Sequence, residues 1–140
     1  MKTLALGTHR LRLLDDHIPS IREEDHPRIA ALNHRLQTLE DVVCCRSNVD
    51  AESLLQEQSK DAIEIVGAFA NACIPKVVVE AVYRGYEVHV PNKFIFGTAL
   101  DDKTLPENVE KYATHLYPNL RIEHAAQAEG INIFSPVMGI

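Results

Sequence analysis

The chain has 140 residues, of which 46% are hydrophobic, 24% are charged and 6% are aromatic. This length predicts a single domain, residues 1–140, that is large enough to bury a hydrophobic core. The net charge of −6 and the absence of Trp argue against nucleic acid or an anionic membrane as a partner, because both select basic surfaces. No apolar run has the length of a membrane-spanning helix, so we expect no membrane association.

The chain contains three cysteines, Cys44, Cys45 and Cys73. Two adjacent cysteines do not readily form an ordinary disulfide with each other, and the number of cysteines is odd. The segment 1–7 is too short, and too soon followed by charges, for a secretory signal peptide. We therefore expect reduced thiols and a cytoplasmic location.

The predicted elements alternate between strands and helices. The stretches 3–6 and 11–14 compete for the first strand, and the elements that follow are a helix at 27–39, a strand at 42–45, a helix at 51–60, a strand at 62–66, a helix at 74–84, a strand at 87–91, a helix at 106–117 and a final strand at 120–124. The tail from Gly130 carries Phe134 and Met138, which we expect to pack on a neighbouring molecule. The alternation predicts a three-layer α/β/α, doubly wound (Rossmann-like) fold with a mainly parallel sheet of four or five strands.

The segment 74–84 has an ambiguous pattern, because three consecutive valines, residues 77–79, favour a strand. The apolar positions 74, 77, 78, 81 and 82 have helical spacing instead. Pro75 near the start and Gly85 just past the end are also typical of a helix. We therefore predict a helix that follows Cys73 directly.

Cys73 is the residue whose position most suggests chemistry. The strand at 62–66 ends at Gly67, and Cys73 lies between it and the predicted helix. Ligands of open α/β sheets bind at the carboxyl edge of the strands. A helix N-terminus favours negative charge, so it favours a thiolate over a thiol. Cys73 is therefore a candidate nucleophile, the alternative being a buried structural thiol.

The segment 62–91 resembles the isochorismatase-like cysteine hydrolases, a family that includes the nicotinamidases. The resemblance is carried by the sequence Ile65-Val-Gly-Ala-Phe-Ala-Asn-Ala-Cys-Ile74, followed by Ala81 and by Gly85-Tyr-Glu-Val-His-Val-Pro91. It implies the isochorismatase-like α/β fold, no cofactor, a homo-oligomer and hydrolysis of a small amide or ester substrate. Nicotinamidases bind a metal through an Asp and two His.

The family uses a Cys nucleophile, an Asp general base and a Lys, and the resemblance assigns the first two to Cys73 and Asp15. Substrate would contact Asn71 and Ala72, with backbone N–H groups at Ala72 and Cys73 stabilising the oxyanion. The Lys has no match, because the chain is about one βα unit shorter than typical members before Arg46. Asn92 occupies a position where the family commonly has Asp.

Several alternatives remain open at the level of individual residues. Asp16 is the fallback base, because adjacent strand residues point to opposite faces of a sheet. A metal site could combine His17, His26 or His34 with Asp16 or Asp25, although zinc needs three or four converging ligands. The pair Cys44–Cys45 could be redox active or simply packed, Lys60 and Lys76 are expected to be surface charges, and Lys93 could supply a cation to the pocket.

Three functions are consistent with these observations. The first is an isochorismatase-like hydrolase that acts through Cys73 and Asp15. The second is a catalytically inactive protein of the same fold that serves as a ligand-binding or oligomerisation module. The third is a flavodoxin-like regulator in which the pair Asp15–Asp16 forms part of a receiver-type acidic pocket.

Overall fold

The computed structural model describes residues 1–9, 12–13, 25–55, 60–68, 72–96, 105–127 and 130–137. The strands within these ranges are β1 (Lys2–Leu6), β2 (Thr8–His9), β3 (Arg12–Leu13), β4 (Val42–Cys45), β5 (Ala62–Ala68), β6 (Glu87–Pro91), β7 (Ile95–Phe96), β8 (Ile122–Gln127) and β9 (Ile131–Pro136). The α-helices are α1 (His26–Thr38), α2 (Asn48–Leu54), α3 (Cys73–Tyr83) and α4 (Leu105–Leu116), and a short 3-10 helix spans Asn92–Phe94.

Seven of these strands form one sheet in the order β4-β1-β5-β6-β9-β8, with β7 pairing with β5. Strands β4, β1, β5 and β6 run parallel to one another, whereas β9 is antiparallel to both β6 and β8. The predicted α/β class and the mainly parallel sheet are therefore confirmed, although the sheet has more strands than the four or five expected. The chain moves outward from β1 to β4 and then crosses back to β5 on the other side of β1.

The competition for the first strand is decided in favour of β1. Leu4, Ala5 and Leu6 are fully buried between β4 and β5, as expected of an apolar run at the centre of a parallel sheet. The described residues of the rival segment, 12 and 13, form β3, which pairs with β2 in a separate two-stranded sheet. Because the rival segment contains Arg12, it is less suited to burial on both faces.

Helices cover both faces of the sheet. On one face, Ile29, Leu32 and Leu36 of α1 pack with Val66 and other buried residues of β1, β5 and β7. On the opposite face, α2, α3 and α4 share a larger core with β1, β4, β5, β6 and β9. The two clusters take alternate residues from each strand, as the pleat of a sheet requires. This arrangement confirms the predicted three layers.

A buried ion pair fixes α1 on its face of the sheet. Arg35 donates from Nη1 to Oε1 of Glu64 at 2.5 Å and from Nη2 to Oε2 at 3.0 Å. Thr3 Oγ1 also donates to Glu64 Oε1, at 3.3 Å. The carboxylate is almost entirely buried on β5, so these three hydrogen bonds replace the water that it loses on folding.

The ambiguous segment after Cys73 is helical, as its apolar spacing predicts. Ile74, Val77, Val78 and Val82 are all fully buried in the larger core. The helix starts at Cys73 itself, one residue earlier than predicted, and ends at Tyr83. Burial of the apolar face therefore outweighs the preference of the valines for a strand.

The expectation that the C-terminal tail packs on a neighbouring molecule is wrong for its described residues. Strand β9 lies between β6 and β8, and Phe134 is buried at 1% exposure. Phe134 stacks on the ring of His124 with 4.9 Å between ring centroids. The predicted strand at 120–124 is β8, which lies at the sheet edge but is not the last strand of the chain. Met138 is outside the described residues.

Strands β1 and β5 approach each other closely where they end, and Gly67 makes this possible. Gly67 has a φ of +108°, and a Cβ atom added to it would lie 2.0 Å from the carbonyl oxygen of Leu6. An L side chain fits neither the dihedral angle nor the available space. The glycine therefore fixes the separation of the two strands next to the segment that leads to Cys73.

Candidate functional site

The chain adds strand β4 on one side of β1 and strands β5 and β6 on the other, so the strand order reverses between β1 and β5. The connection from β1 leads through α1 to β4 on one side, and the connection from β4 leads through α2 to β5 on the other. Open α/β sheets hold their ligands in the crevice beside such a reversal. The chain enters α3 directly after β5, so the first turn of α3 belongs to this edge of the sheet.

Cys73 is the first residue of α3 and its side chain is half-buried against the larger core. Its thiol is free of any disulfide. Sγ lies 3.9 Å from Oδ1 of Asn48, to which the S–H group donates a hydrogen bond. Asn48 is the first residue of α2, so the starts of two neighbouring helices meet at the sulfur atom.

Asn48 connects the thiol to an ion pair. Its Nδ2 donates to Oε1 of Glu52 at 3.3 Å, and the same oxygen lies 3.7 Å from Nζ of Lys76. The side chains therefore form a chain of contacts from Cys73 through Asn48 and Glu52 to Lys76. We call these four residues the thiol relay.

Sequence reasoning missed the thiol relay. Lys76 was expected to be a surface charge, and its side chain is 37% exposed, but its Nζ lies 3.7 Å from Glu52. Asn48 was not considered, although only two residues separate it from the end of β4 and it so lies at the same sheet edge as Cys73. Its position after a strand end is the signal that could have identified it.

The start of α3 leaves backbone donors free of helical partners. Ala72 is the N-cap residue, and it supplies no side-chain hydrogen bond to the first turn. The first bond within the helix runs from the N–H of Lys76 to the carbonyl of Ala72, at 3.3 Å. The N–H groups of Cys73 and Ile74 therefore have no acceptor within the helix, and they adjoin the sulfur atom. Such donors are suited to an anionic oxygen.

Several residues of the predicted site lie outside the described residues. These are the two candidate bases Asp15 and Asp16, the histidine His17, and Asn71, which was expected to contact substrate. Ala72, the other residue expected to contact substrate, is described and lies next to Cys73. The assignment of Asp15 as the base therefore stays a prediction.

Cys45 lies at the end of β4 and is fully buried. Its burial raises the pKa of the thiol to about 11, and the nearby Asp50 and Cys44 add to the rise. A thiol that stays protonated is a poor nucleophile and a poor reductant. Cys44, its neighbour, is only partly buried, and neither thiol forms a disulfide. Packing therefore explains Cys45 better than redox chemistry does.

Lys93, Arg46 and Asn92, which the sequence places near the expected pocket, have contacts elsewhere. Lys93 is exposed, with Nζ 5.1 Å from the centre of the Phe94 ring. Arg46 is exposed, and its backbone N–H donates to Asp50 Oδ2 at 3.2 Å. Asn92 accepts a hydrogen bond at Oδ1 from Nδ2 of Asn132, at 2.6 Å, so it connects the end of β6 to β9.

Over the described ranges, no three His, Cys, Asp or Glu side chains are grouped in a way that could hold a metal ion. None of the helices in the described part of the chain combines the length and the apolar character needed to cross a membrane. A groove of about 460 Å³ runs between α4 and β8, apart from Cys73, over a floor that includes Val109 and Phe134.

Comparison of the chain with models of protein families, with curated proteins and with solved structures finds no match. The geometry around Cys73 and the resemblance of segment 62–91 to a known family are therefore the two indications of function.

Proposed function

We propose that the protein is an isochorismatase-like hydrolase that cleaves a small amide or ester through Cys73. The observation that carries the proposal is the position of a free, half-buried thiol on the first residue of α3, at the carboxyl edge of the sheet. The uncapped N–H groups beside it are suited to an oxyanion, and the sequence around it resembles the nucleophile segment of that family.

The reaction follows from these parts. The thiolate of Cys73 attacks the carbonyl carbon of the substrate, while Asp15 takes the thiol proton. The negative oxygen of the tetrahedral intermediate accepts hydrogen bonds from the N–H groups of Cys73 and Ile74. The amine or alcohol leaves with the proton from Asp15, which gives a thioester. Asp15 then takes a proton from water, whose oxygen attacks the thioester, and returns that proton to the sulfur of Cys73 as the carboxylic acid is released.

Intact-protein mass spectrometry during incubation with activated esters and small primary amides tests this proposal. We expect an acyl adduct on Cys73 that disappears with time, and turnover that Cys73→Ser and Asp15→Asn both abolish. Cys44→Ser is the matched control and should leave turnover intact. A panel without any adduct or turnover, or turnover that survives Cys73→Ser, would contradict the proposal.

A second candidate, an oligomerisation module of the same fold, is favoured by the outer edge of β8, which pairs with no further strand among the described residues. Arg121 accepts a hydrogen bond from Val137 N–H at 3.0 Å, and Ile122 pairs with Pro136, which has no N–H. Because the direction of backbone groups alternates along an antiparallel strand, Ile122, His124 and Ala126 direct theirs away from β9. The strand contains neither Pro nor Lys, the residues that usually protect an edge.

This edge can pair with a second copy of itself. Antiparallel pairing about a two-fold axis at His124 places Ile122 opposite Ala126, Glu123 opposite Ala125 and His124 opposite its own copy, so the carboxylates of Glu123 do not face each other. We expect sedimentation velocity to show a dimer that Ala126→Pro dissociates, because the proline removes an outward N–H. Ala126→Thr keeps that N–H and should remain dimeric. A monomeric parent protein would exclude this candidate.

A further inference from the structure

We propose that Glu52 controls the reactivity of Cys73 by fixing the orientation of the Asn48 side-chain amide. This inference concerns the site of the proposed function and rests on the role given there to Cys73, but its test requires no substrate. The argument uses the contacts of the thiol relay.

The orientation of the amide follows from what each neighbour can accept or donate. Glu52, paired with the ammonium of Lys76, is an ionised carboxylate and can only accept hydrogen bonds. The group of Asn48 that faces Glu52 at 3.3 Å must therefore be the NH2 group. The carbonyl oxygen of the same amide is then the atom that faces the sulfur, at 3.9 Å.

An oxygen in this position favours the thiol over the thiolate. It accepts a hydrogen bond from the S–H group, but it presents lone pairs and partial negative charge to a sulfur anion. The start of α3 has the opposite effect, because its N–H groups stabilise negative charge. The Asn48 oxygen thus counteracts the stabilisation of the thiolate by the start of α3, and Glu52 holds the Asn48 amide in that orientation. A reversed amide would stabilise the thiolate instead.

Glu52→Ala removes the acceptor that holds the amide, whereas Glu52→Gln keeps a carbonyl oxygen facing the donors of Asn48 and Lys76. Without an acceptor beside it, the Asn48 amide is free to turn and to present its nitrogen to Sγ as a donor. A group that binds Glu52 in place of Asn48, such as the ammonium of a ligand, would release the same restraint. The thiol relay therefore activates the thiol only when Glu52 no longer accepts a hydrogen bond from Asn48.

The test is the rate at which iodoacetamide alkylates Cys73 in the folded full chain, measured peptide by peptide so that Cys44 and Cys45 are counted separately. We expect Glu52→Ala to be alkylated several-fold faster than the parent at pH 7, and Glu52→Gln to stay closer to the parent because it keeps an acceptor for Asn48. Asp50→Asn removes the same charge from the same helix without touching Asn48, and should change the rate less.

The decisive comparison repeats Glu52→Ala in an Asn48→Ala background. If the amide transmits the effect, Glu52→Ala has little effect there, whereas an effect of lost charge alone would persist. An equal acceleration in both backgrounds, or none in either, overturns the inference. The thermal melting of every variant is measured to confirm folding. Altered alkylation without turnover would sink the hydrolase proposal alone, and turnover with unaltered alkylation would sink this inference alone.

Discussion

Replacement of Gly67 by Ala tests the close approach of β1 and β5 at the candidate site. The φ of +108° alone disfavours an L side chain by about 1–3 kcal/mol. The added Cβ would also lie 2.0 Å from the backbone oxygen of Leu6, which has to move by about 1 Å or more. Forcing atoms into a packed interior costs roughly a further 1–3 kcal/mol. We expect Gly67→Ala to lower the free energy of unfolding by about 3–5 kcal/mol, a large part of the stability of an ordinary domain.

Urea unfolding followed by circular dichroism measures this loss, and Gly130→Ala provides the matched control. Gly130 also has a positive φ, +76°, but the nearest atom to an added Cβ, Asn92 Nδ2, lies 4.0 Å away. Only the conformational cost applies there, about 1 kcal/mol. If Gly67→Ala destabilises the protein no more than Gly130→Ala does, then β1 and β5 are not in the contact described, and the placement of the Cys73 segment beside β1 fails with it.

Two further predictions concern titratable groups. Because burial raises the pKa of Cys45 from 9.0 to about 11, the unfolded thiol ionises before the folded one, and stability present below pH 9 is lost as the pH rises towards 11. Urea unfolding of the parent at pH 8 and pH 10.5 should show this loss of unfolding free energy, about 1 kcal/mol per pH unit. The loss should be smaller in Cys45→Ala. Tyr117 donates from its hydroxyl to Glu80 Oε2 at 2.9 Å, and burial followed by this hydrogen bond raises its pKa. Tyr117→Phe should lower the unfolding free energy at pH 7 by about 1–2 kcal/mol, whereas Tyr83→Phe, on the exposed ring stacked against Tyr117, should change it little. Equal effects of the two tyrosine variants, or a pH dependence unchanged by Cys45→Ala, would contradict these assignments.

The sequence by itself determined the class of fold and most of its elements. The apolar run Ala62–Val66 is a strand in the structure because a strand buried on both faces needs no alternation. The run Val42–Cys45 is also a strand, although it lies at the sheet edge and only Cys45 is buried. Helical spacing after Cys73 correctly outweighed the three valines, since a buried helix face requires positions three and four residues apart. The position of Cys73 at the start of that helix followed from the same pattern.

Only the tertiary structure decided which strand follows which in the sheet and what faces the thiol. Strand β9 lies between β6 and β8. Its pairing with β6 joins residues that are distant in the chain, and local periodicity in the sequence does not predict such a pairing. Asn132 interrupts its apolar pattern and is buried only because Asn92 and His124 supply hydrogen bonds. The contact between Asn48 and Cys73 likewise depends on two helix starts meeting across 25 residues. Periodicity reports which face of an element is buried, but the identity of its neighbour is set by packing across the whole chain.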